Sequence, residues 1–401
     1  MIVFRHAFVL VLTAWLGMAA LAGRADATEP SATAIPKIGH VFIIMLENES
    51  FTDTFGPHSP AKYLNALAKQ GALLENYYGI GHYSLDNYLA MISGQAPNPS
   101  TQADCQSFLE FAATGMTADG QAIGTGCVYP AGVSTIANQL EARGLTWKGY
   151  MEDMGNDPAR ESATCGHPAI GAHDGTQRAK IGDQYAARHD PFVYFHAIID
   201  APSCATHVVN LTALAPDLAS AATTPNLAFI TPNLCNDGHD GGEGRHCVDG
   251  APGGFVSADA FLKKFVPRIV GSPAFRQDGL LVITFDESEI KAHFDPKTGQ
   301  VVVEDGEASS CCDEQPGPNI AADAKVFNMP DKGPGVIGPG GGRIGAVLLS
   351  PFIRPGTTSR TPYNHYALLK SIEDMFGLDH LGYAGQPGLR GFGVDIFGGA
   401  P

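Results

Sequence analysis

Val41-Phe42-Ile43-Ile44-Met45-Leu46 is an unbroken apolar run, and Glu47-Asn48 follows it at once. A strand covered on both faces needs no polar alternation. The run therefore reads as a buried parallel strand whose carboxyl end carries two polar residues. Similar apolar segments are expected as strands at 72–78, 146–151, 226–231, 280–285 and 345–349. Between them, helical periodicity falls at 60–69, 84–93, 135–143, 257–270 and 365–376, with Gly94 and Gly144 as stop signals. Strand alternating with helix implies an α/β layer fold with a mainly parallel sheet. Two turn-rich stretches, 95–134 and 289–342, interrupt the alternation and read as long loop excursions. The glycine run within 338–342 precedes a strand rather than a helix and reads as a flexible turn.

With 401 residues, 44% hydrophobic and 16% charged, the chain can bury a large core. Its first 27 residues have a different character. Arg5 and His6 precede a mostly apolar run from Ala7 to Ala22, and Ala25-Asp26-Ala27 supplies a small-x-small cleavage pattern. This is the pattern of a secretory signal peptide, so export to the periplasm or beyond is expected, without stable membrane insertion. Eight cysteines suit that oxidising destination. They allow about a hundred connectivities, with Cys105–Cys127 and Cys235–Cys247 the simplest local pairs. The formal charge of −16 repels nucleic acid and anionic membrane surfaces. An acidic protein that handles phosphate needs concentrated local positive charge, for which bound metal is the obvious source.

Ligands of open α/β sheets gather at the carboxyl ends of strands. Four polar clusters are expected there: Glu47-Asn48, the run Asn233 to Asp240, Asp286-Glu287, and Tyr363-Asn364-His365 after strand 345–349. Any one alone reads as a solvated turn or a helix start. Together they supply carboxylates, an amide and imidazoles, the donor types of a divalent-metal hydrolase. Ser84 opens the helix SLDNYLAMIS, where it reads either as an N-cap or as a nucleophile held against the positive end of the helix dipole. His82, two residues earlier, would contact phosphate or face solvent. There is no G-x-S-x-G elbow, no G-x-x-x-x-G-K-[ST] loop and no placed G-x-G-x-x-G fingerprint.

At these residues the chain resembles the bacterial phosphoesterase family of secreted acid phosphatases and phospholipases C, within the alkaline-phosphatase-like superfamily. The resemblance is carried by the segment His40 to Phe51, by His82-Tyr83-Ser84-Leu85-Asp86-Asn87-Tyr88, and by Asn236 to Asp240, Thr284 to Glu287 and Asn364-His365-Tyr366, in that order. It implies a three-layer alkaline-phosphatase-like fold and a single catalytic domain over 28–401. It further implies one divalent metal (Mg, Mn, Ca or Zn) on Glu47, Asn48, Asp286 and Glu287, with Ser84 as nucleophile. His239 and His365 would act in catalysis. His82, Asn87, Asp237 and Asp240 would bind phosphate or a second metal. Tyr83 and Asp86 stand where the phosphatase branch usually has prolines, and Asp86 would add negative charge near the phosphate.

The implied activity is hydrolysis of phosphate monoesters, on a phosphorylated small molecule or a lipid headgroup. The alternatives are a phosphodiesterase or phospholipase C on the same site and, more remotely, a non-catalytic exported ligand-binding protein. A sulfatase is disfavoured, because no C/S-x-P-x-R motif occurs. The oligomeric state is left open.

Overall fold

The computed structural model describes Met1 and residues 35–242, 244–289, 292–295, 297, 300–303, 309–320, 326–329, 333–336 and 340–398. The expected signal segment 1–27 lies outside these residues apart from Met1. The core is an eight-stranded sheet made of β1 (His40–Leu46), β2 (Ala72–Leu74), β3 (Trp147–Met151), β4 (Val208–Asn210), β5 (Leu227–Thr231), β6 (Gly279–Phe285), β7 (Ala346–Leu349) and β8 (Thr357–Ser359). Their spatial order is β8-β2-β7-β6-β1-β5-β3-β4. Every strand runs in one direction except β7, which is antiparallel to both β2 and β6.

Every residue of β1, β5, β6 and β7 is buried, as apolar strands covered on both faces require. The covering helices fall into two groups. In one, α1 (Lys62–Ala68) packs on α4 (Gly254–Val270) and β7, while α4 and α5 (Pro273–Asp278) pack on β6. In the other, α2 (Ser84–Ser93) packs on α6 (His365–Phe376) and α3 (Ile136–Ala142), and α3 packs on β3. The result is the α/β layer fold with a mainly parallel sheet expected from the alternation of elements, in the three layers that the resemblance implied.

Three departures from the sequence reading bear on function. The segment 72–78 is two strands rather than one. Tyr77–Tyr78 leaves the main sheet to pair with Tyr363–Asn364. The excursion at 95–134 contains a hairpin, Ala112–Met116 with Ala122–Thr125, and 289–342 contains two more. Finally, residues 340–342 are no loose turn. Gly79 N–H donates to Gly342 O (3.0 Å), Gly341 N–H to Gly79 O (3.1 Å) and Gly340 N–H to Ile80 O (3.2 Å). A Cβ on Gly341 would lie 2.4 Å from Gly81 O, so only glycine permits this approach.

Candidate active site

The register of β1 against β6 pairs Leu46 with Phe285, which places Glu47 beside Asp286 at the carboxyl ends of adjacent strands. Backbone hydrogen bonds hold the group together. Asp286 N–H donates to Leu46 O (3.0 Å), and Glu47 N–H donates to Asp237 O in the loop after β5 (2.9 Å). Asn48 turns the chain with φ +55°, and its N–H reaches Asp286 Oδ1 (2.9 Å) while its amide donates to Glu47 Oε2 (3.2 Å).

Ser84 meets this cluster from the other side. It is the first residue of α2, but not its cap. Tyr83 holds the N-cap position at φ +79°, a conformation unusual for a bulky residue. Ser84 Oγ donates to Glu47 Oε2 at 2.7 Å, and Tyr88 OH donates to Glu47 Oε1 at 2.5 Å. The hydroxyl thus points away from the helix backbone and into a ring of acids. Glu287 is directed elsewhere: it pairs with His82 and accepts Tyr83 N–H (3.0 Å), fixing the strained turn that presents Ser84.

Asn87 serves the same turn. Its carbonyl accepts from Ile80 N–H (2.8 Å) and its amide donates to Gly81 O (2.9 Å) and Tyr83 O (3.2 Å). It therefore shapes the loop before Ser84 by backbone contacts. Asp86 is wholly buried. Burial, with Glu287 and Asp104 adding repulsion, pushes its carboxyl well above the usual range and favours the neutral acid over the expected negative charge.

The acids that remain strain against one another. Burial first, then Asp286 and Asp237, pushes Glu47 well above the ordinary carboxylate range. Asp237 is raised in the same way by burial, with Asp240 adding to the shift while the His239 N–H and Arg188 oppose it. Asp286 is raised by burial against hydrogen bonds that favour its charge. Asp237 Oδ2 and Asp286 Oδ2 are buried without a hydrogen-bond donor. Such oxygens suit a cation.

The sequence reading missed His189. It lies on the short turn Ala187–His189, with Nε2 at 3.4 Å from Glu47 Oε2, Nδ1 at 3.2 Å from Asp237 Oδ2, and its ring stacked on Tyr88. Ligand atoms of Glu47, His189 and Asp237 all lie within 4.8 Å of one another, and all three residues are buried. A divalent ion therefore has a compact carboxylate–imidazole donor set here, with Asp286 and Asn48 adjoining. The one signal in the sequence was an imidazole flanked by charge, Arg188-His189-Asp190-Pro191, in a stretch where no strand or long helix was expected.

The two expected catalytic histidines are placed differently. His239 is partly exposed, with Nδ1 bonded to Asp240 Oδ1 (2.8 Å) and its backbone N–H donated to Asp237 Oδ1 (2.8 Å). His365 is wholly buried. Its Nε2 donates to the carbonyl of Asp286 (2.6 Å), and Nδ1 accepts from Tyr77 OH (3.1 Å). Burial lowers its pKa to about 4, so it is a neutral brace for the Asp286 backbone at ordinary pH. It does not reach the site from the carboxyl end of strand 345–349, as the sequence suggested. β7 is the reversed strand and ends on the far side; the chain returns through β8 and Tyr363–Asn364.

A cleft of about 710 Å³ opens beside Asn48 and His239, walled by Asp53, Arg245, His246 and Phe255 among others. The loop that carries Asp237, His239 and Asp240 is braced from β3's end. Glu152 Oε2 accepts from Asn233 N–H (3.0 Å) and the Asn236 amide (2.9 Å), and Asp153 Oδ2 accepts from the Asn233 amide (2.7 Å). The cysteines form Cys105–Cys127, Cys165–Cys204, Cys235–Cys247 and the adjacent pair Cys311–Cys312. The Cys235–Cys247 bridge fastens the same loop.

The Phosphoesterase family model matches residues 57–379. The chain is 26% identical over 339 residues to the phosphate-repressible acid phosphatase of Penicillium chrysogenum, covering 84% of this chain and 59% of that protein. It is 24% identical over 374 residues to the phosphatidylinositol-3-phosphatase of Mycobacterium tuberculosis, covering 93% and 87% respectively. A solved alkaline phosphatase superfamily protein from Vibrio parahaemolyticus aligns with a TM-score of 0.45 at 13% identity, over 87% of this chain and 68% of that one.

Proposed function

The chain belongs to the Phosphoesterase family, and from that premise we propose that it hydrolyses phosphate monoesters with metal assistance, through Ser84. The observation that carries this reading is the Ser84 hydroxyl, 2.7 Å from Glu47 at the start of α2, inside a buried group of Glu47, Asp237, Asp286 and His189. Glu47, His189 and Asp237 would hold a divalent ion, with Asp286 and Asn48 completing its surroundings. Bound there, the ion would stabilise negative charge on the phosphoryl group and lower the pKa of a neighbouring hydroxyl. Oxygen donors suit Mg, Mn or Ca, and the imidazole keeps Zn open.

The chain's own residues then divide the work. Glu47 orients Ser84 Oγ and takes its proton as the oxygen attacks phosphorus in line. The bond from phosphorus to the alcohol oxygen breaks, and His239, at the mouth of the cleft, relays to that oxygen a proton drawn from solvent water. Backbone N–H groups at the start of α2 favour the phosphoryl oxygens. Water then cleaves the phosphoserine and restores Ser84. His82, Glu287 and Asn87 hold the turn in front of Ser84, and His365 holds Asp286. Asp240 fixes the tautomer of His239.

The cleft beside His239 has room for a sizeable alcohol, which supports a substrate larger than a simple alkyl phosphate. The similarity to a phosphatidylinositol-3-phosphatase along nearly the whole chain supports a phosphorylated headgroup as one such substrate. The acid-phosphatase relative is considerably longer, since the chain spans 59% of its length. The test is hydrolysis of a chromogenic monoester and of the matching diester, with and without chelator. Monoester turnover that chelation abolishes and divalent ion restores is expected. Turnover unaffected by exhaustive chelation would remove the metal from the mechanism, and a preference for the diester would reverse the substrate class.

We further propose that the protein is exported and begins, once processed, near Thr28. Four disulfides support this. Mass spectrometry of exported material is expected to find residues 1–27 removed and almost no titratable thiol. An intact leader or eight reactive thiols would contradict it.

A further inference from the structure

We infer that Arg188 binds the non-bridging oxygens of the substrate's phosphoryl group; this rests on the phosphate-ester reading above. Arg188 is buried, at 3% exposure, on the same short turn as His189. Its guanidinium spans two parts of the site. On one side Nε faces Asp104 Oδ2 at 3.9 Å, and Asp104 Oδ1 accepts the N–H of Leu85 (3.2 Å), the second residue of α2. On the other side Nη2 donates to His239 Nε2 at 3.4 Å, while Nη1 donates to Gln177 O at 3.1 Å. The cation is thereby tethered to the first turn of the nucleophile helix and directed at the histidine that lines the cleft.

Both of its contacts toward the site are weak. The ion pair is at the outer limit of a contact, and the bond to His239 is longer than the usual 2.9–3.0 Å or so of an N–H donor. An imidazole also offers a guanidinium a single nitrogen, whereas a guanidinium is built to grip two oxygens of a phosphate or carboxylate. Asp104, Glu47, Asp237 and Asp174 keep the buried guanidinium charged, and its Nη2, spent on a long bond to an imidazole, gains most from an incoming oxyanion. The contact has a second consequence. A guanidinium only donates, so His239 Nε2 accepts from Arg188 and the ring proton stays on Nδ1, facing Asp240.

The competing role is purely electrostatic, with Arg188 serving only to balance Asp104, Glu47 and Asp237. Calorimetric titration of inorganic phosphate into the purified full chain separates the two. Arg188→Met is expected to weaken phosphate binding by about 10–100-fold, as befits loss of a charge-assisted hydrogen bond. Arg188→Lys should recover only part of that loss. The double variant Arg188→Met with Asp104→Asn removes both buried charges together, and it carries the same comparison if the single variant does not fold. It should bind phosphate as weakly as Arg188→Met. A double variant restored to wild-type affinity would reduce Arg188 to a counter-ion, and an Arg188→Met protein with unchanged affinity would overturn the assignment while leaving a hydrolysing wild type intact. A wild type that neither binds phosphate nor turns over any ester would remove both this inference and the function it rests on.

Discussion

Replacing Ser84 with alanine is expected to leave a folded protein whose turnover of a phosphate monoester has fallen by at least about three orders of magnitude. That loss corresponds to roughly 4 kcal/mol of transition-state stabilisation. The expectation follows from where the hydroxyl is. Ser84 opens α2 but leaves capping to Tyr83, and its proton is directed at Glu47 Oε2 at 2.7 Å. Alanine is the best helix former, so α2 should persist. The variant also removes one donor from a buried carboxylate, a cost that Tyr88 OH limits by continuing to donate to Glu47 Oε1. Kinetics and a thermal melt on the same preparation decide the matter. A folded variant with near-native turnover would return Ser84 to a helix-start role.

Asp286→Ala is expected to lower bound metal and activity together, whereas the exposed Asp379→Ala should change neither. The reasoning turns on proton linkage. In the absence of a cation, burial raises Glu47, Asp237 and Asp286 above the unfolded carboxylate range near 4, and repulsion from neighbouring acids adds to it at Glu47 and Asp237. As pH rises above about 4, the unfolded chain gives up protons that the folded chain keeps. The folded state then binds more protons, so stability falls with rising pH. Asp190 and Glu373, each raised to about 8 mainly by burial, and Glu161, raised to about 7, act in the same direction and are independent of the metal. The chelated protein should therefore melt at progressively lower temperature from about pH 5 to pH 8. Added divalent ion should raise the melting temperature more at pH 8 than at pH 5, because a ligand of the folded state stabilises by mass action and this one displaces protons. Loss of that difference in Asp286→Ala is the expected result. Full metal occupancy and full activity in Asp286→Ala would show that the carboxylate cluster is not the site.

Several features were legible along the chain because they are local. The apolar runs of β1 and β6 declared buried parallel strands, and the polar residues after them meet side by side at adjacent strand ends. The helix that begins at Ser84 and the helix that begins at His365 start where periodicity put them. The pairs Cys105–Cys127 and Cys235–Cys247 formed as their short spacing suggested.

What lay beyond the sequence was everything set by direction and register between distant segments. Periodicity reports that 345–349 is a buried strand, but not that β7 runs against its neighbours. That reversal sends His365 round to the carbonyl of Asp286 instead of to the mouth of the cleft. The family resemblance implied Asp286 and Glu287 as two ligands of one ion. Side chains of consecutive residues diverge, and the tertiary structure gives Glu287 to His82 and the turn at Tyr83. His189 sits in a region without a long helix, where no pattern marks burial. Only the packing of its short turn beneath β5 and α2 brings the ring to Glu47 and Asp237. Composition and hydropathy thus determined the α/β layering and the sheet end at which Glu47 and Asp286 lie. The choice of which side chains meet there was made by strand direction and loop path, because convergence depends on contacts between residues that the chain separates by tens to hundreds of positions.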